Sequence, residues 1–164
     1  MRRRATPFIV IAVAALTALI FVVAVRSPGP KARRAPVAEP PAPDVRVART
    51  ALGRILVNAR GHTLYLFRED HHGKSTCTEG CARVWPPTVV GHAPRAGAGV
   101  DAAKLTTTRR ADDAEQIVYN GHPLYAMIAD TRPGQTQGQG FQGTWFVVSP
   151  AGHQIGHGKA VTGY

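Results

Sequence analysis

Cysteine is nearly absent from this chain. Of 164 residues only Cys77 and Cys81 carry a thiol, and only Met1 and Met127 a thioether. This argues against a Met-rich copper carrier, and no cysteine stands near the N-terminal apolar run to take a lipid. Acidic residues are also few, ten against twenty Lys and Arg. The surplus is not evenly spread. Residues 1–50 hold nine basic residues against Glu39 and Asp44, whereas residues 51–164 hold eleven against eight. An excess of three over the larger part argues against a nucleic-acid surface, and no such partner is expected. The catalytic signatures are missing too. There is no Gly-x-Ser-x-Gly elbow, no phosphate loop and no zinc-hydrolase helix. No catalytic residue is assigned, and a non-enzymatic role is favoured.

What the chain does have is a repetition. Gly61-His62-Thr63-Leu64-Tyr65-Leu66-Phe67-Arg68-Glu69-Asp70 returns sixty residues later as Gly121-His122-Pro123-Leu124-Tyr125-Ala126-Met127-Ile128-Ala129-Asp130. The same spacing aligns Thr76 with Thr136, Gly80 with Gly140 and Trp85 with Trp145. Two copies of one unit are expected, about 51–90 and 111–150, each too short to bury its own strands.

Ahead of them lie a basic N-terminus (1–7), an apolar run from Phe8 to Val25, and a linker (26–45) rich in Pro, Ala and Arg. Eighteen apolar residues suffice to span a bilayer with little tilt. Ala24-Val25-Arg26 makes a poor cleavage site, so the run reads as a signal anchor rather than a removed signal peptide. The membrane is then the partner, through a single Phe8–Val25 span, with the domain outside the cytoplasm. Secretion after cleavage is the alternative. The linker prolines favour extended polyproline II and make a spacer.

Residues 46–164 read as mainly β. The fold expected is two fused repeats of short antiparallel strands and hairpins around one core, related by a pseudo-two-fold axis. Ile55–Asn58, Thr63–Phe67, Gln116–Tyr119, Pro123–Ile128 and Trp145–Ser149 are the strands. Asn120-Gly121 predicts a type I′ hairpin turn, which needs positive φ at both central residues. Alternation places Leu64 and Leu66 on one face and Tyr65 and Phe67 on the other, so both faces should be covered. Asp101 caps a single helical turn.

The residues so assembled resemble a family of bacterial secreted repeat proteins and predicted lipoproteins marked by a Tyr-x-x-x-x-Asp motif. The resemblance rests on Gly53–Val57, Thr63–Phe67, Ser75-Thr76-Cys77, Cys81-Ala82, Trp85-Pro86-Pro87, Gly99–Ala102, Tyr119–Tyr125, Gly138-Gln139-Gly140 and Trp145–Val148. It implies an exported, envelope-associated protein and no particular activity. Many members carry a lipidated cysteine after the signal segment, which this chain does not.

Four sets of residues are candidates for chemistry. In an oxidising compartment Cys77 and Cys81 should form a disulfide. The alternative is a copper or redox site using the two thiolates, with His71 and His72 nearby. His62 and His122 hold equivalent places after the turn glycines. They are hairpin-end polar residues, or a pair meeting across the pseudo-dyad at a metal. Tyr65, Asp70, Tyr125 and Asp130 carry the motif. Each Asp is expected to start a turn, accepting backbone N–H bonds from the loop beyond it, and each Tyr to be a core aromatic with a satisfied hydroxyl. A groove lined by both tyrosines, or a calcium site, is the competing reading. The Gly/Gln loop from Gly134 to Gly140 is either a solvated loop or a contact for glycan or peptide. No cofactor is expected unless copper binds.

Overall fold

The computed structural model describes residues 41–156. The expected anchor, most of the linker and His157 lie outside them. Among the described residues no helix is long and apolar enough to cross a membrane.

The domain is mainly β, with strands β1 (Val45–Thr50), β2 (Gly53–Asn58), β3 (Tyr65–Phe67), β4 (Val89–Val90), β5 (Leu105–Arg109), β6 (Glu115–Tyr119), β7 (His122–Pro123) and β8 (Trp145–Val147). Neither β1 nor β5 is expected from the sequence pattern. Both are edge partners in hairpins, β1 on β2 and β5 on β6, so each covers the outer edge of its unit. β1 begins at Val45, which is fully buried, one residue ahead of the expected boundary. Asp44 fixes that start by accepting from Arg95 N (2.8 Å) and Arg95 Nε (3.2 Å).

The duplication is visible bond by bond. Thr88 N donates to Leu124 O, and Val148 N to Leu64 O. Trp85 N donates to Cys81 O, and Trp145 N to Phe141 O. Exchanging the copies at an offset of sixty turns each bond into its mate. The offset is not constant, however. Val57 bridges Thr63, while Val118 pairs with Pro123. The first hairpin thus holds one residue more, and β2 matches β6 at sixty-one. The cause is turn chemistry. Asn120 (φ 50°) and Gly121 (φ 82°) make the expected two-residue turn. The first copy instead uses Ala59-Arg60-Gly61, with Gly61 at φ 86° and Asn58 Oδ1 accepting from Arg60 N and His62 N. That is the three-residue loop with a left-handed closing residue.

The copies are interlocked rather than side by side. β3 of the first pairs antiparallel with β8 of the second, Tyr65 opposite Val147. In return Tyr125 bridges Pro87. At the centre Tyr65 and Tyr125 exchange both backbone hydrogen bonds, at 2.8 and 3.0 Å.

The expectation of one core needs correction, because the strands separate two clusters. One holds Val45, Leu56, Leu64, Leu66, Ile117, Tyr119, Leu124, Phe146 and Val148. The other holds Ile55, Val57, Tyr65, Cys77, Trp85, Tyr125, Trp145 and Val147. The strict alternation of a strand sends successive side chains to opposite faces, so Leu64 and Leu66 enter the first cluster and Tyr65 the second. A short helix, α1 (Glu79–Val84), occupies the disulfide loop and was not expected. The turn at Asp101 is a 3-10 turn, Ala102–Lys104, with Asp101 Oδ1 accepting from Ala103 N at 3.0 Å.

Candidate functional site

Each motif tyrosine meets the aspartate of the other copy. Tyr65 donates to Asp130 Oδ2 at 2.5 Å, and Tyr125 to Asp70 Oδ2 at 2.7 Å. Five positions along one strand would separate a Tyr from its own Asp, and the exchange of the strands supplies the partner instead. The second oxygen of each carboxylate accepts from the loop on its C-terminal side. Asp70 Oδ1 takes Thr76 N (2.7 Å) and Asp130 Oδ1 takes Gln137 N (3.0 Å). The turn-starting role expected for both residues is what they have.

These groups sit in a poorly hydrated place, and their ionisation reflects it. Burial raises both carboxyls above the usual aspartate value, against the opposing pull of the Tyr and backbone donors. Burial, with the adjacent carboxylate, pushes both tyrosine hydroxyls well above their ordinary range. Neither tyrosine is prepared to lose its proton near neutrality.

The tryptophans close this layer. Trp85 and Trp145 stack with centroids 4.0 Å apart and planes 2° from parallel. Tyr65 sets its edge on Trp85 (5.3 Å) and Tyr125 on Trp145 (5.1 Å). Phe67 extends the stack on the Trp145 side, at 4.2 Å. Gly138 lies against the other end, where an added Cβ would be 2.5 Å from the Trp85 ring.

The repeat histidines have carboxylate neighbours. His62 lies near Asp130 and His122 near Asp70, so each again belongs with the other copy's carboxylate. Burial lowers the His122 pKa, helped by His153 and opposed by Asp70. His71 and His72 are exposed, and His72 has φ 52°. Among the described residues no three His, Cys, Asp or Glu side chains converge as a metal-binding group.

Cys77 and Cys81 are joined as a disulfide, with Cα atoms 5.2 Å apart. Cys77 is buried against the Trp85 layer, and α1 starts beside it. In this state neither sulfur is a thiolate ligand.

One constellation has no signature in the sequence. Arg110, with a side chain only 5% exposed, reaches into the gap between the copies. It donates to Ser75 Oγ (2.7 Å), Gln116 Oε1 (2.6 Å) and Cys77 O (2.9 Å). Ser75 Oγ in turn lies 2.7 Å from the Tyr125 hydroxyl, joining Arg110 to the Tyr125–Asp70 pair. Arg109-Arg110 before Ala111-Asp112-Asp113 looks like an ordinary charged turn in sequence, and nothing local tells which arginine turns inward.

A family model described as a secreted repeat of unknown function matches residues 46–88 and again 106–149. These bounds fall close to the structural repeats that open with β1 and β5. No curated protein and no solved structure matches the chain.

Proposed function

Because the chain belongs to this family of secreted repeats of unknown function, we propose that it is an extracytoplasmic cell-envelope module that binds or scaffolds without catalysis, held at the membrane by an uncleaved Phe8–Val25 segment. The observation carrying the non-catalytic part is how the repeated motif is used. Tyr65, Tyr125, Asp70 and Asp130 are paired with one another, and Trp85 and Trp145 stack on each other. A general acid or base must be within reach of substrate and near its working pKa. These groups face inward, and the tyrosines are driven away from neutral pH. The tether rests on the length of the apolar run and the poor cleavage site at its end.

Mass spectrometry of the native protein tests the tether. The reading expects a mass that includes Phe8–Val25 and extraction only by detergent. A mature N-terminus after Val25 overturns it in favour of secretion. Thiol counting and metal analysis of the exported protein test the rest. No free thiol and no stoichiometric metal are expected, whereas copper bound through Cys77 and Cys81 would make the protein a metal carrier.

A further inference from the structure

We propose that the cavity between the disulfide loop and the β5–β6 turn is a binding site for a phosphate-type oxyanion. This deepens the reading of the chain as a binding module and rests on it. The cavity has a volume of about 600 Å³, and four cations, Lys74, Arg83, Arg109 and Arg110, line it against two carboxylates, Glu79 and Asp112.

The duplication supplies an internal reference. Whatever both copies carry is what the fold requires of a repeat, and residues found in one copy alone are released from that requirement. At the sixty-residue offset Lys74 corresponds to Gly134, Arg83 to Gly143 and Arg110 to Thr50. The bridged Cys77 and Cys81 correspond to Gln137 and Phe141. Three cations and the disulfide thus have neutral, unbridged counterparts; the three cations line this one cavity, and the bridged loop lends it Thr78 and Glu79. Arg109 is the exception, matched by Arg49.

The charge there is incompletely answered. Arg110 bonds to three neutral oxygens, its Nε makes no hydrogen bond, and Asp112 Oδ1 stands 3.7 Å away on a largely exposed side chain. Asp70 is near enough to feel the guanidinium and is already engaged by Tyr125 and Thr76. Arg109 is paired with Asp113 at 2.9 Å. Lys74 and Arg83 are exposed and form no ion pair among the described residues. A fixed buried guanidinium flanked by two free cations in a concave site favours a multiply charged oxyanion, since the low-dielectric wall strengthens the field. The disulfide and α1 hold the wall that carries Arg83.

The test uses the full chain in non-ionic detergent at about 0.15 M salt, where diffuse surface attraction is screened. Calorimetric titrations with inorganic pyrophosphate and with glycerophosphoglycerol represent a free phosphate and a lipid headgroup. Saturable binding of either supports the site, and which one binds tells the source. K74Q/R83Q should weaken it about tenfold or more. R46Q/R49Q, an equal charge loss on the opposite copy, should leave it within about twofold. Arg110 is left in place so that its bonds to Ser75, Gln116 and Cys77 are kept and only the two unpaired cations change. Binding of neither probe, or equal losses in the two double variants, overturns the proposal. Release of orthophosphate from bound pyrophosphate would leave the site standing and end the non-catalytic reading instead.

Discussion

At the scale of single residues, the crossed Tyr–Asp pairs should behave as structural hydrogen bonds of unusual strictness. Tyr65→Phe leaves Asp130 Oδ2 and the Gly138 amide without the hydroxyl they share. We expect a loss of about 1–3 kcal/mol, the cost of stranding buried polar groups, read from the urea midpoint at pH 7. Gly138→Ala should cost a similar ~1–3 kcal/mol by overpacking, because its methyl group would fall on the Trp85 ring; tryptophan fluorescence would report the disturbed stack. The pH dependence has a definite sign. Asp130 has a folded pKa above its unfolded 3.8, so the stability it contributes is complete below pH 3.8 and is lost as pH rises through the folded value. Asp130→Asn removes that loss, and its urea midpoints should vary less than those of the wild type between pH 4 and pH 7. His122 acts oppositely. Its pKa is lowered, so its contribution is present above pH 6.5 and lost as pH falls through the folded value.

At the scale of elements, the Cys77–Cys81 bridge should matter locally. It closes a loop with a sequence separation of four, for which chain entropy gives about 2 kcal/mol. Replacing both by Ser should leave the β fold intact while hydrogen exchange quickens between Asp70 and Trp85. Exchange that quickens throughout the domain would contradict this. The same loop marks where the sequence was legible and where it was not. Asn120-Gly121 announced its turn because the backbone requirement is local. The two-faced burial of Leu64 to Phe67 came from strict alternation. α1 gave no such signal, since six residues held by a disulfide and a buried tryptophan need no helical period. β1 was masked by its arginines and its place beside the proline-rich linker. Thr106-Thr107-Thr108 in β5 has β-branched residues but little hydrophobic pattern. Among the site residues, the turn roles of Asp70 and Asp130 were readable from Gly73 and from Pro133-Gly134 just beyond them. Their partners were not, because a crossed pairing between copies leaves no trace in local spacing, and Arg110 turns inward for reasons that exist only in the folded molecule.

At the scale of the whole molecule, neither repeat pairs all of its own strands, so neither is expected to fold alone. β3 finds its partner in β8, and the central tyrosines complete each other's backbone bonds. Residues 1–100 and 101–164 produced separately should each lack the near-ultraviolet circular dichroism of the stacked tryptophans, and mixing the two should restore it. A folded isolated half would refute the interlock.

That interlock has a consequence for ancestry and assembly. A chain with one such repeat would expose a strand edge complementary to its own, and its natural completion is a second copy of itself in two-fold association. Fusion makes that encounter intramolecular and independent of concentration. It also lifts the rule that both sides of a homodimer must be identical. Once the partners share one chain, a mutation falls on one side only, and a lysine, an arginine or a pair of cysteines can be acquired where a symmetric ancestor would have had to accept it twice.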